Sequence, residues 1–170
     1  MTETAVSTPI WDFVLNYYGR KGVSDALIGL QDNHAVDVNM LLFLMWMAAQ
    51  SKSVAADDVK FVSTTSQAWQ RAVVVPIRGV RRLLKENPPL VPAEAAAAFR
   101  KKVQAIELEG EQLQLNAMAA LVGRLKSAQA SPEEAARRNV KTFEAVAGKT
   151  FPPAAVDGLV RALVEVTDGH

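Results

Sequence analysis

Hydrophobic positions recur three and four residues apart along most of the chain, and no segment alternates with a period of two. This spacing predicts helices and no extended sheet. Caps, glycines and prolines divide the pattern into successive helices. We predict helices at residues 9–18, 24–32, 37–50, 57–86, 94–128 and 131–148, with a last one ending near residue 166. Pro76 falls inside the fourth helix and should kink or divide it.

Segment 94–128 predicts the longest helix, and its apolar residues occupy nearly half of a helical wheel or more. They form two clusters: Phe99, Val103, Ile106, Leu113, Ala117 and Leu121, and then Leu108, Leu115, Met118 and Val122. We therefore expect this helix to pack on two sides. The predicted fold is all-α, a single-domain bundle of six to eight helices around a long central helix. The domain should cover residues 9–167, after a loose tail at residues 1–8.

The third predicted helix is apolar around its whole circumference, which is typical of a buried helix. A polar stretch containing Asp32, His34, Asp37 and Asn39 precedes it. Asp37 is the predicted N-cap, accepting from the backbone N–H of Asn39 or Met40. Asn39 needs a buried partner. We interpret the stretch as a structural joint, with His34 as a loop residue, while a catalytic or cation-binding role for Asp32 and Asp37 stays open.

Two sets of charged residues are candidates for pairing with each other. Glu107 and Glu111 lie one turn apart inside the apolar arc of the longest helix, so each needs a partner. In the fourth helix, an apolar stripe at Trp69, Val73, Ile77, Val80 and Leu84 opposes a basic face at Arg71, Arg78, Arg82 and Lys85. One interpretation is a solvated basic face, or pairs of Arg78 and Arg82 with the two glutamates. The other makes the basic face a site for phosphate, nucleic acid or an acidic partner.

Composition excludes several kinds of function. The chain has 170 residues, 22% of them charged, with a net charge of +1, so no global bias toward nucleic acid or membranes exists. It has no cysteine, which removes disulfides and thiolate metal sites and favours a reducing compartment. The longest apolar run is about half of what a bilayer crossing needs. We expect a soluble cytoplasmic protein, with no membrane partner. No phosphate loop, zinc motif or nucleophile elbow occurs, so we assign no cofactor, metal ligand or catalytic residue.

Three segments carry a family resemblance: the joint LQD…VDVN, the basic PIRGVRRLLK and the acidic AIELEGEQLQL. Over residues 11–115 the chain resembles an uncharacterised family of small proteobacterial proteins that contain a domain of unknown function. Ala35 stands where that family pattern has glycine. The resemblance implies a bacterial, cytoplasmic, all-helical protein and implies no activity.

Two hypotheses about function follow. The first is a non-enzymatic binding or adaptor protein that uses the basic helix face to bind an acidic protein or a phosphate-bearing ligand. Self-association as a homodimer also stays open. The alternative is an enzyme with a buried acidic site, dependent on a divalent cation. Its candidate residues are Asp32, Asp37, Glu107 and Glu111.

Overall fold

The computed structural model describes residues 8–86 and 89–169, and helices dominate both ranges. These ranges contain eight α-helices: α1 (Pro9–Tyr18), α2 (Val23–His34), α3 (Val38–Ala49), α4 (Ala56–Trp69), α5 (Val75–Lys85), α6 (Ala93–Ala120), α7 (Pro132–Ala147) and α8 (Pro153–Asp168). The all-α prediction is confirmed. The predicted tail falls almost wholly on residues 1–7, which lie outside the described residues, as do Asn87 and Pro88 of the break before α6.

The starts and ends of several helices follow from local chemistry. Asp37 caps α3, and its Oδ1 accepts from the backbone N–H of Asn39 at 3.1 Å and of Met40 at 3.4 Å, as predicted. Ser131 caps α7, and Gly148 ends that helix in the left-handed conformation, with φ 63°. Ala35 ends α2 in the same conformation, with φ 49°. Glycine adopts this conformation at the lowest cost, so alanine is a less favourable residue at this position.

Pro76 neither stops nor interrupts the helical path. A π-helical turn, Gln70–Val74, joins α4 directly to α5 just before this proline. Proline lacks the N–H that would bond the carbonyl four residues earlier, so a change in the hydrogen-bond pattern near it is expected. The predicted kink or division therefore takes the form of a π turn.

The core is built around α3, which is buried on nearly all sides. Residues 39–45 and residues 47 and 48 are all buried. α1, α2, α6, α7 and α8 all contact α3. This agrees with the prediction that the most apolar helix is the buried one.

α6 is the longest helix, as predicted, but it buries only part of the two predicted apolar clusters, namely Val103, Leu115 and Met118. Phe99, Ile106 and Leu113 are 55%, 54% and 53% exposed, and Leu108 is 50% exposed. The buried residues of α6 are Ala96, Val103, Glu107, Gly110, Gln112, Gln114, Leu115 and Met118. Much of this set is polar or small, so apolar periodicity alone identifies only part of the buried side. The polar members can be buried because most of them have hydrogen-bond partners on other helices.

A small antiparallel sheet also departs from the prediction. β1 (Lys52–Val54) pairs with β2 (Ser127–Gln129), with Lys52 opposite Gln129. α6 therefore ends at Ala120 instead of continuing to 128, and a 3-10 turn (Val122–Arg124) leads into β2. The strands are too short to give a period-two pattern in the sequence. Among the described helices, none combines the length and the apolar character needed to cross a bilayer.

Candidate functional site

One cavity of about 540 Å³ opens between α1, α2, α3, α5 and α6, and we call it the groove. Its apolar wall is formed by Trp11, Leu15 and Tyr18 of α1, Ile28 of α2 and Leu108 of α6. The three α1 residues are spaced four and three apart, which places them on one helix face. Leu15 is 58% exposed, Leu108 50% and Ile28 46%. The groove thus presents a wall of apolar side chains to the outside.

The polar part of the groove lining contains two arginines and two glutamates, Arg78, Arg81, Glu107 and Glu111, which we call the Arg–Glu cluster. Arg78 donates from Nε to Glu107 Oε1 at 2.8 Å and from Nη2 to Glu111 Oε1 at 2.7 Å. Arg81 donates to Glu107 from both Nε and Nη2. The side chain of Arg78 is 11% exposed and that of Glu107 7%. The cluster joins α5 to α6 and carries no net charge when all four groups are ionised.

The two glutamates of the cluster differ in acidity. Burial alone would raise the pKa of Glu107, but hydrogen bonds from Arg81 and Arg78 hold that pKa below its ordinary value. Burial raises the pKa of Glu111, which accepts from Arg78 alone. Burial also raises the pKa of Tyr18, with a further contribution from nearby Glu111. Glu111 is therefore the carboxylate of the groove that most readily takes up a proton.

A second polar group, which we call the joint network, lies where α3, α4 and α6 meet. Gln114 accepts from Asn39 Nδ2 at 2.7 Å and donates from Nε2 to Ser66 Oγ at 2.6 Å and to Asp37 Oδ2 at 3.1 Å. Ser66 Oγ in turn donates to Asp37 Oδ2 at 3.1 Å. Burial raises the pKa of Asp37, against the effect of these hydrogen bonds. The predicted buried partner of Asn39 is thus Gln114.

Two residues of the polar stretch lie near the surface. Asp32 accepts from Arg82 Nη2 at 2.7 Å, and this hydrogen bond lowers the pKa of Asp32. The predicted pairing of Arg82 with Glu107 or Glu111 is therefore wrong, and Arg81 takes that place. His34 is the last residue of α2, and its backbone carbonyl, like that of Ala35, accepts from Lys149 Nζ. Lys149 lies in the loop before α8 and supplies the hydrogen-bond donor for the carbonyls at the end of α2. No local sequence pattern indicates this contact.

The predicted basic face does not form one continuous site. Arg78 is directed into the cluster, and Arg82 is paired with Asp32. Arg71 and Lys85 are exposed, and within the described ranges neither forms an ion pair. The polar wall of the groove instead combines Arg78 with Arg81.

The four acids of the enzyme hypothesis are not brought together. Asp32 is bound to Arg82, Asp37 to the joint network, and Glu107 and Glu111 to the cluster. Across the described part of the chain, no group of three or more histidine, aspartate or glutamate residues is arranged to hold a metal ion. The contribution of α1 to the apolar wall was not predicted from the sequence, although the spacing of Trp11, Leu15 and Tyr18 could have indicated it.

Fold and site together define a small all-α protein with one amphipathic groove that has an Arg–Glu cluster in its wall. The chain belongs to the DUF2390 family, described as proteins of unknown function, whose pattern matches residues 9–118. No curated protein and no solved structure matches this chain. Every residue that lines the groove falls within the matched stretch. α7 and α8 lie beyond it.

Proposed function

We propose that this protein is a non-enzymatic binding or adaptor protein that holds an amphipathic anion in the groove. The observation that carries the proposal is the pairing of an exposed apolar wall with a wall containing two arginines. A volume of about 540 Å³ is within the usual range for ligand sites, which are mostly apolar with a few placed polar groups. The ligand is an organic molecule or chain end with an apolar body and a carboxylate or phosphate.

The apolar wall supports the first half of this proposal. Leu15, Ile28 and Leu108 each leave about half of their side chain exposed. A bound apolar body would remove this surface from water, at a gain of about 25 cal/mol for each Å² covered. Trp11 and Tyr18 add flat aromatic surfaces, which contribute large contact areas to binding.

Arg78 and Arg81 support the second half of the proposal, which is the binding of an anionic group. Arg78 and Arg81 each bind carboxylates through Nε and Nη2, and in the described residues their Nη1 atoms take part in no hydrogen bond. A guanidinium has five N–H donors, and its planar shape suits carboxylate and phosphate. The acidic or phosphate-bearing ligand expected from the sequence thus fits Arg78 and Arg81 better than Arg71 or Lys85.

Calorimetry with decanoate and decylammonium, which share one apolar chain and differ in charge, tests the proposal. We expect decanoate to bind and decylammonium to bind at least about tenfold more weakly, a difference of about 1.4 kcal/mol. Leu108→Glu should weaken decanoate binding by a similar factor. The matched control is Leu83→Glu, since Leu83 is 58% exposed on α5 outside the groove. Equal loss in both variants, or tighter binding of the ammonium, would contradict the proposal.

One observation supports the alternative hypothesis that the protein is an enzyme. Glu111 lines the groove, and its raised pKa is a feature that acid–base residues share. If a divalent cation served such a site, it would raise the melting temperature in a way that Glu111→Gln abolishes. Cytoplasmic location stays a prediction, based on the lack of cysteine.

A further inference from the structure

α6 carries a row of exposed apolar residues that do not line the groove. Its members, which we call the α6 stripe, are Ala95, Phe99, Ile106, Leu113 and Ala117. All five are exposed, and the three large ones are each just over half exposed. Phe99, Ile106 and Leu113 are seven residues apart, so they follow one line along the helix. None of the five lines the groove.

The α6 stripe is symmetric about Ile106. Phe99 and Leu113 each lie seven residues from it, and Ala95 and Ala117 each lie eleven residues from it. When two copies of α6 run antiparallel about a two-fold axis at Ile106, Phe99 of each copy faces Leu113 of the other. Ile106 then meets its own equivalent, and the alanines meet at both ends, where small side chains let the helices approach closely. A two-fold interface requires a surface that is complementary to itself in this way.

Two charged residues beside the stripe select this antiparallel arrangement. Lys102 lies four residues before Ile106 and Glu109 three residues after it, and both are exposed. The antiparallel pairing places Lys102 of each copy within one residue of Glu109 of the other, so two ion pairs form. A parallel pairing in register would place the two copies of each residue at the same level but on opposite flanks of the seam, so neither ion pair would form. Within the described chain, neither residue forms an ion pair that this arrangement would break.

We propose that the α6 stripe is a homodimer interface, occupied by α6 of a second copy in antiparallel orientation. An apolar centre flanked by complementary charges is the usual arrangement at such interfaces. The inference does not depend on the groove or its ligand.

Charge reversal followed by sedimentation velocity tests this interface. The full chain has a mass of 18.4 kDa, and we expect a species of twice that mass at micromolar concentration. Lys102→Glu alone and Glu109→Lys alone each create like-charge contacts, so each should weaken the dimer at least about tenfold. The double variant K102E/E109K restores opposite charges and should recover the dimer. Ile106→Glu should give a monomer with unchanged circular dichroism.

Leu83→Glu again serves as the matched control, because it places the same charge on an exposed apolar position away from the stripe. It should leave the dimer intact. A parent protein that stays monomeric at every concentration would overturn the proposal, whether or not another protein occupies the stripe. A dimer that survives Ile106→Glu, or a double variant that remains as weak as the single ones, would also overturn it.

Discussion

Asp37 connects three helices through one carboxylate. It accepts from the first backbone N–H groups of α3, from Ser66 of α4 and from Gln114 of α6. Ser66 is 5% exposed and Gln114 3% exposed, so both are largely shielded from bulk water. An N-cap seen in the sequence is therefore also the centre of a buried network. Its loss should cost more than the loss of a cap on the surface.

We predict that Asp37→Ala destabilises the protein by about 2–4 kcal/mol. A lost N-cap contributes about 1 kcal/mol, and buried groups left without a partner contribute about 1–3 kcal/mol more. Asp37→Asn should cost less, because its amide oxygen still accepts from the helix. Urea unfolding of both variants measures the difference, with exposed Asn33→Ala as the control. A loss near 1 kcal/mol for Asp37→Ala would mean that only the cap matters.

The raised pKa of Asp37 adds a dependence on pH. Its ordinary value is 3.8, and burial raises it in the folded protein. The stabilising effect of the protonated form is fully present below the unfolded pKa and is lost as pH rises through the folded pKa. Asp37→Asn does not titrate, so its stability relative to the parent should increase as the pH rises from the ordinary pKa of 3.8 through the raised pKa of folded Asp37. If the parent instead becomes more stable relative to Asp37→Asn as the pH rises, the ionised carboxylate is the form that the folded protein favours.

At the scale of elements, the sequence shows where helices begin and end better than which side they bury. Ser131, Pro132 and Gly148 set the ends of α7 through contacts within a few residues. The buried side of α6 depends on distant partners, since Glu107 meets Arg78 from 29 residues away and Gln114 meets Asn39 from 75 residues away. Without those partners a buried glutamate or glutamine is unfavourable, so a pattern of apolar residues cannot indicate it.

The end of α6 was unpredictable for a related reason. The residues of β2 continue the helical pattern of 94–128, but they pair with β1 about 75 residues earlier in the chain. Asn139 of α7 completes the arrangement, because its side chain accepts from the backbone N–H of Val54 at 2.8 Å. Long-range pairing of this kind overrides a local helical preference.

The α5–α6 ion pairs yield a prediction that separates buried from exposed arginines. Glu107→Gln should cost about 3–5 kcal/mol, because it leaves Arg78 and Arg81 without their shared carboxylate in a largely buried place. Arg82→Ala should change the free energy of unfolding by at most about 1 kcal/mol, because its pair with Asp32 is on the surface. Thermal and urea unfolding measure both.

A double-mutant cycle on Arg78→Met and Glu107→Gln completes that test. We expect a coupling of about 1–3 kcal/mol, since the two side chains share a direct hydrogen bond. The matched cycle uses Arg82→Met and Asp32→Asn, where coupling should stay below about 1 kcal/mol. Equal coupling in the two cycles would mean that the cluster is no more buried in solution than the surface pair.

At the scale of the molecule, the groove could not be assembled from the sequence. Its apolar wall comes from α1, α2 and Leu108 of α6, whereas its arginines and glutamates come from α5 and α6. The sequence offered the pairing of Arg78 with Glu107 and Glu111 as one of several interpretations, and the structure contains both contacts. The sequence did not indicate that α1 lines the same groove as these charged residues, because the position of α1 depends on how it packs on α3 and α6.

The family match ends at residue 118, and the packing predicts that this stretch does not fold alone. α7 and α8 pack against α3. Asn139 of α7 is buried and donates to the backbone carbonyls of Leu44 and Lys52. Tyr17 of α1 donates to the backbone carbonyl of Leu159 of α8 at 2.8 Å. A chain ending at Ala120 would expose the apolar α3 and leave these groups unpaired, so we expect no cooperative thermal transition from it. Full-length Asn139→Ala should still melt in one step, with about 2–4 kcal/mol less stability. Calorimetry of both proteins, with the parent as reference, decides the matter. A cooperative melt of the shortened chain would show that residues 9–167 comprise more than one folding unit.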